Sequence, residues 1–382
     1  MNISIFEKYM NNFKLQRPLK IALATVSLSG GGAERVAAIL SNYFVSKGIE
    51  VHHLVFAGTI EYEYSGKLVH FGSLNTSKNS LLSRLKRFKL LYSYCKKEKF
   101  DFVIDFRTKE HYLQEVILNN FVYNDLIQTI HNYHLDYYFN KNKFLSKLLY
   151  FKCLKFVSVA KSIQTKVAND FKYNNLQVIL NPIENSKINH SLKDKIDLDF
   201  NYIVAAGRLH ESNVKQMDVI IELYSKSILP SKNIKLVILG NEDLMPNLKT
   251  LVKNLNLQNV VIFKGHVSNP FVYFKQAKFL IMASKFEGFP MVIVESLYCN
   301  LPVISWDFNS GPNEIIETGI NGILVENKNE IKLIEAMNKM VTDINFYNEC
   351  KIGARKSVEK FYINVIGEEW LQLFEKLQGK GA

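Results

Sequence analysis

Cysteine is scarce: the 382 residues hold Cys95, Cys153, Cys299 and Cys350, far apart and never in a C-x-x-C pair. That spacing suggests neither a zinc site nor a disulfide framework, so reduced thiols in a cytosolic protein are expected. No apolar run approaches the roughly 20 residues needed to span a bilayer. The first twenty residues, MNISIFEKYMNNFKLQRPLK, lack the basic start, apolar centre and small-residue cleavage site of a signal peptide, so a cytoplasmic location is expected. Repeats, low-complexity runs and glycine-serine linkers are absent too, which excludes solenoid and tethered-module plans. Acidic residues are outnumbered, 36 against 48 basic ones, leaving a net charge of +12. Such a balance favours an anionic partner: nucleic acid, anionic lipid or a phosphorylated small molecule.

What is present is a folded composition, 47% apolar and 22% charged, long enough for two domains. KIALATV reads as a strand, SLSGGG as a loop, and AERVAAILSNYFVSKG as a helix with Val36, Ile39, Leu40 and Phe44 at helical spacing. EVHHLVFAG follows as a second strand, which makes the start of a parallel α/β layer. FDFVIDF, DLIQTIHN, KFVSVAK and LQVILNPI continue the pattern. From DLDFNYIVAAGRL the same alternation starts again: helix 217–226, strand IKLVILG, helix 243–255, strand VVIFKGHV, helix 270–277, strand KFLIMAS, helix 290–299 and strand LPVISWD. Two α/β layers in series result, joined in a polar stretch at 183–199 that contains little periodicity. The segment INVIGEEWLQLFEKLQ predicts an amphipathic helix with Val365, Trp370, Leu371 and Phe374 available to one face.

Several constellations could carry chemistry. Gly30, Gly31 and Gly32 stand between a strand and a helix, where bare backbone admits a ligand and free N–H groups favour an anion. A purely structural turn fits them equally well. The pattern is neither G-x-G-x-x-G nor a P-loop. Arg208 and Lys215 flank the mouth of a helix and could clamp a leaving diphosphate without a metal, or be surface charge. The only D-x-D, Asp197 and Asp199, reads as solvated loop. In SKFEGFPMVIVESL, Glu287 precedes a turn and Glu295 lies in the second turn of the following helix between apolar neighbours. A buried acid there needs donors, which ribose hydroxyls would supply; the alternative is a helix-face carboxylate. His131 and His134 do not make a metal site by themselves. The stretch LLSRLKRFKLLYSYCKKEKF, residues 81–100, could lie on anionic lipid or be a solvated charged face.

Taken together, SGGGAER, TIHN, ILNPI, GRLHESNVKQMDVII, SKFEGFPMVIVESLYCNLPVI, SGPNEII and GINGILV resemble the retaining glycosyltransferase family 4, the group 1 transferases, over about residues 20–340. The resemblance implies a GT-B fold: α/β, two Rossmann-like parallel-sheet lobes facing a cleft, with a C-terminal helix crossing back to the first lobe. On that plan residues 1–185 form the acceptor lobe (1–19 a polar leader), 200–362 the nucleotide-sugar lobe, and 363–382 the returning helix. It also implies roles. Arg208 and Lys215 match the diphosphate pair, Glu287 the acid at the donor sugar, and Glu295 the ribose acid. The turn Gly288, Phe289, Pro290 and Met291 offers its backbone to the donor, with N–H groups from all but the proline, His131 matches a histidine near the anomeric centre, and Gly31 and Gly32 match the loop near the phosphates. The family often has Lys-Gly where this chain has Lys215-Gln216. The expected activity is retaining transfer of a hexose or N-acetylhexosamine from a nucleotide sugar, by family frequency a UDP-sugar, to a saccharide or lipid-linked acceptor in lipopolysaccharide or other surface polysaccharide synthesis. Neither a metal nor another cofactor is expected, and no nucleic acid; an anionic membrane surface could be met through residues 81–99, on the inner face of the cytoplasmic membrane. A GT-B sugar-nucleotide epimerase and a non-catalytic nucleotide-sugar-binding subunit are the competing readings.

Overall fold

The computed structural model describes residues 17–74, 81–209, 212–240 and 247–379. Most of the polar leader, His210 and the start expected for the helix at 243 lie outside these residues. Among the described residues the chain builds two parallel sheets. The first comprises β1 (Lys20–Thr25), β2 (Glu50–Val55), β3 (Lys67–His70), β4 (Phe102–Asp105), β5 (Leu126–Ile130), β6 (Cys153–Ser158) and β7 (Leu176–Val178), in the order β3-β2-β1-β4-β5-β6-β7. The second comprises β8 (Tyr202–Ala206), β9 (Lys235–Leu239), β10 (Val261–Gly265), β11 (Leu280–Met282), β12 (Val303–Asp307) and β13 (Gly322–Glu326), in the order β10-β9-β8-β11-β12-β13. These are the two Rossmann-like lobes that the alternating pattern predicts.

Central strands are covered on both faces, so they read as continuous apolar runs rather than alternating ones. Ile21, Leu23, Ile203 and Val204 have no exposed surface. β1 pairs in parallel with β2 and β4, Leu23 standing opposite His53 and Ile104. β8 pairs likewise with β9 and β11. Helical crossovers make this possible, since parallel neighbours cannot be joined by a tight turn. Helix Gly32–Ser46 buries Val36, Ile39, Leu40 and Phe44, the stripe that the sequence spacing predicts. Two strands were not anticipated. β3 is half-exposed and short, and β13 lies within a motif whose glycines mask its β character.

By compactness the chain divides into residues 1–129 with 136–157, and residues 130–135 with 158–382. The polar join contains a helix of its own, Asn185–Ser191. The last helix, Ile363–Gln378, belongs to the second unit, and an isolated bridge pairs Tyr362, just before it, with Ile183. Its buried stripe is Ile366, Trp370, Leu373 and Phe374, spaced i, i+4, i+7, i+8. Val365, expected on that face, is 39% exposed, because the stripe starts one residue later.

At the N-terminal edge of the first sheet, Glu50, His52 and Glu98 converge as metal ligands might. Lys20 stands among them, its Nζ 2.9 Å from Glu50 and 3.0 Å from Glu98, and Lys67 Nζ lies 3.8 Å from Glu98, so the two carboxylates already face two ammonium groups. All four cysteines are buried, and burial pushes the Cys95, Cys153 and Cys299 thiols up to about 12. They are inert packing groups.

His53 in β2 is fully buried, with Nε2 3.1 Å from the Ser65 carbonyl oxygen. Burial lowers its pKa from 6.5 to about 4, against a smaller opposing effect of the Ser65 hydrogen bond. A depressed base contributes stability that is complete above pH 6.5 and is lost as pH falls toward 4, because the unfolded chain takes up the proton first. Chemical unfolding between pH 7 and 4 should therefore show a His53 contribution of up to about 1.4 kcal/mol per pH unit, absent in His53→Gln. An identical pH slope in the variant would remove the assignment.

Candidate functional site

In the second sheet the strand order reverses between β8 and β11. Crossovers run outward in opposite directions from that line, so a crevice opens beyond the carboxyl ends of these two strands. The charged residues singled out from sequence gather there. β8 runs into Gly207 and the exposed Arg208, and the chain returns at Lys215 before helix Met217–Lys226. β11 leads through the buried Ser284 to Glu287.

Lys215 Nζ lies 2.5 Å from Glu287 Oε1, and the Ser284 hydroxyl donates to the same oxygen at 3.0 Å. The Lys285 N–H donates to the Val214 carbonyl at 2.8 Å, so the two loops are joined by backbone as well. Both charged side chains are mostly buried, 19% and 17% exposed. Gly207 permits the arrangement: a Cβ there would stand 2.9 Å from Lys215 Cε. Gln216, immediately after the lysine, has φ 48° in the left-handed region. The family's frequent glycine at this step is the residue that adopts such a conformation without strain, whereas glutamine bears a cost of about 1–2 kcal/mol.

The Glu-Gly-Phe-Pro segment is held from two sides. A Cβ at Gly288 would collide with the His131 carbonyl oxygen, and the His134 ring packs edge-on against Phe286 at 4.0 Å. Ser310 Oγ donates to the Gly288 carbonyl at 2.5 Å, and Phe286 bridges Asn309. Gly311, at φ 108°, lies where any Cβ would strike Pro290. The SGP triplet thus serves as a brace for the turn. Phe289 turns its ring inward, 5.5 Å from that of Phe361, and the Met291 N–H donates to the Phe289 carbonyl at 2.9 Å, so of this turn it is the N–H groups of Gly288 and Phe289 that could meet a ligand. Pro290 and Met291 then open helix Met291–Tyr298, and Glu295 in its second turn is only 6% exposed. Desolvation lowers the His131 pKa to about 3, so this imidazole is neutral at physiological pH. His131, Lys215, Glu287 and the 288–291 turn therefore share one unit, with Arg208 at the same sheet edge.

Gly31 and Gly32 belong to the other unit. Gly31 precedes helix Gly32–Ser46, and a Cβ on it would run into the Glu34 carboxylate, so that helix mouth already faces an acid of its own. The first sheet reverses order between β1 and β4, and a cavity of about 270 Å³ opens there, lined by Val26, Phe56, Phe71, Arg87, Arg107 and His111 among others. Sequence reasoning missed it. Arg107 binds Asp105 through two nitrogens, at 2.7 and 3.0 Å, and Glu115 through two more contacts at 3.0 and 3.1 Å. Lys109 adds a contact of 2.6 Å to Asp105 and one of 3.2 Å to Glu115. Burial alone would raise the Asp105 pKa; the Arg107 and Lys109 charges outweigh it and hold the carboxyl at about 2. The signal available was FRTKEHYLQE, alternating charge directly after a buried strand.

Residues 186–357 match the family described as Glycosyl transferases group 1. That segment belongs to the group 1 glycosyl transferases. The full-length comparison agrees: the N-acetylgalactosamine-N,N'-diacetylbacillosaminyl-diphospho-undecaprenol 4-alpha-N-acetylgalactosaminyltransferase of Campylobacter jejuni is 29% identical over 360 residues, covering 90% of this chain and 95% of that protein. Among solved structures, a glycosyltransferase from Rickettsia africae superposes with TM-score 0.77 at 18% identity, covering 95% of this chain and 99% of that one. The HepE protein of Anabaena, solved in complex with UDP, gives TM-score 0.73 at 16% identity over 94% of this chain and 100% of that one. The chain is a glycosyltransferase, and its fold is that of the GT-B enzymes.

Two substitutions test how the group 1 site is held. Gly288→Ala, which meets backbone that cannot swing away, should lower unfolding free energy by about 1–3 kcal/mol or more. Gln216→Gly relieves left-handed strain and should raise it by about 1 kcal/mol. Urea denaturation of both variants measures these shifts; equal midpoints would refute the packing described.

Proposed function

We propose that this glycosyltransferase transfers a hexose or N-acetylhexosamine with retention, from a UDP-sugar bound at the β8/β11 edge. The observation that supports this most directly is the Lys215–Glu287 pair at the switch point, braced by Ser284 and set beside the backbone of Gly288–Met291. Arg208 and Lys215 would neutralise the departing diphosphate, which makes a metal unnecessary for that charge. Glu287, already oriented by Lys215, would accept from hydroxyls of the donor sugar. Glu295 would accept from the ribose hydroxyls.

In the same-face route the acceptor hydroxyl oxygen forms the new bond to the anomeric carbon as the bond from that carbon to the diphosphate oxygen breaks. The hydroxyl proton passes to the leaving diphosphate. Positive charge that develops on the sugar is tolerated because His131, at about 3, stays neutral and adds no cation. Positioning and charge stabilisation then supply the catalysis, without a covalent intermediate. The Campylobacter relative's name records an α-linked product on an undecaprenyl diphosphate acceptor, and the Anabaena structure contains UDP; these support the donor and acceptor classes. A lipid-linked saccharide acceptor, a product in surface polysaccharide synthesis and a place on the inner face of the cytoplasmic membrane complete the reading.

Thermal unfolding with UDP, GDP and ADP, each with EDTA present, tests the donor. A ligand at about 100 times its dissociation constant should stabilise by roughly 2.7 kcal/mol, and UDP is expected to do so despite the chelator. Lys215→Ala and Arg208→Ala should each lower turnover by about 10²-fold or more. Glu295→Ala should chiefly weaken nucleotide binding. Wild-type turnover in both cation variants, or a β-linked product by NMR from an α-linked donor, would overturn the proposal.

A further inference from the structure

Two short helical stretches of the first unit leave large apolar side chains uncovered. Leu113 and Ile117, on helix Tyr112–Ile117, and Phe121, in the π-helical turn Leu118–Val122, are 79%, 44% and 69% exposed. Phe144 and Leu148, on helix Lys143–Leu149, and Phe151 just beyond it are 72%, 45% and 80% exposed. In each stretch the residues recur every three or four positions, so each set forms one stripe.

The stripes belong to one surface region. Asn120 Nδ2 donates to the Leu148 carbonyl at 3.0 Å, and the Lys152 N–H donates to Asn120 Oδ1 at 3.1 Å. Lys152 Nζ lies 5.5 Å from the Phe121 ring centre, which brings the two stripes to a common edge. The two stretches themselves are predominantly basic, with the exposed acids Glu110, Asp125 and Asp136 at their borders and Lys141 Nζ 3.9 Å from Asp136. Residues 111–124 and 141–152 contain a single acid, Glu115, and it is buried against Arg107. Lys141, Lys143, Lys147 and Lys152 are all exposed.

We propose that this face seats the protein on an anionic lipid bilayer. Phenylalanine, leucine and isoleucine side chains would enter the boundary between headgroups and acyl chains, while lysine stems lie along them and carry their ammonium groups to lipid phosphates. A second copy fits poorly, since apposed faces would bring Lys143, Lys147 and Lys152 of each copy together, while the neighbouring acid Asp136 already lies beside Lys141. The helix Leu81–Glu98, the membrane candidate from sequence, places Leu91 and Cys95 in the core, at 3% and 5% exposed, and leaves Leu85, Leu90 and Tyr92 at 57%, 41% and 38%, so it is the rival surface that the lysine variants below distinguish. The inference rests on the membrane setting proposed above and not on the chemistry of transfer.

The full chain is sedimented, without donor or acceptor, with vesicles of phosphatidylcholine alone and of phosphatidylcholine with phosphatidylglycerol. Wild type is expected to bind the mixed vesicles and not the neutral ones. The triple variant Phe121→Ser, Phe144→Ser, Phe151→Ser and the triple variant Lys143→Gln, Lys147→Gln, Lys152→Gln should each lower partition by about tenfold or more. Both should keep the wild-type unfolding midpoint, because the side chains changed are exposed. Absence of vesicle binding by wild type, or unchanged binding by both variants, overturns the proposal. So does loss of binding in Lys86→Gln, Lys89→Gln, Lys97→Gln alone, or a dimer in analytical ultracentrifugation that the phenylalanine variant dissociates. Because no turnover is measured, failure here leaves the transferase reading intact, and an inactive enzyme that still binds vesicles leaves this one intact.

Discussion

Reversal of strand order in a parallel sheet is the constraint on which the site depends. Neighbouring crossovers diverge from β8 and β11, so the two strand ends are left without a helix directly over them, and loops from distant parts of the chain can meet. Lys215 and Glu287 are separated by 72 residues in sequence yet lie 2.5 Å apart because their strands are neighbours at that line. Ser284 and the Val214–Lys285 backbone hydrogen bond make the pair part of a fixed lattice rather than a chance surface contact. The pair is neutral as a whole, and what it fixes is the position of the Lys215 ammonium, held by Glu287.

The same constraint operates in the first sheet with different chemistry. There the β1/β4 line carries a four-residue network, Asp105, Arg107, Lys109 and Glu115, in which two acids and two bases compensate one another. Desolvating four charges is unfavourable in itself, and the network is tolerable because every one of them has an opposite partner in contact. Beside it, the Phe56 ring lies 4.2 Å from the Arg107 guanidinium, so the wall of the adjoining cavity is rigid and mixed in character. One sheet edge therefore carries the Lys215–Glu287 pair with Arg208 beside it, the other a cavity wall with both apolar and polar parts.

Glycines carry much of the site's precision. Gly207 makes room for the Lys215 side chain, Gly288 for the His131 carbonyl, and Gly311 for Pro290. In each case the missing Cβ is replaced by an atom of another segment, so the three loops interlock. Asn213, Gln216 and Ser310 take left-handed conformations without being glycine, at φ 48°, 48° and 76°. Gln216, next to Lys215, bears that strain at the mouth of helix Met217–Lys226.

The alternating apolar pattern determined the two parallel lobes, because strands buried on both faces and helices with one apolar stripe have different periods that survive without tertiary context. Arg208, Lys215, Glu287 and Glu295 could be picked out as candidates as well, since charge beside a helix start is a local feature. What only the tertiary structure decided was distance and direction. That Phe289 turns its ring into the core, that Ser310 and Gly311 brace the Gly-Phe-Pro turn, and that His131 is desolvated all arise from segments far apart in sequence. The cavity beside Arg107 and the exposed stripes of Leu113, Ile117, Phe121, Phe144, Leu148 and Phe151 were invisible for the same reason. An apolar residue at helical spacing reads as core whether or not anything is packed against it, and only the fold shows which stripes are left uncovered.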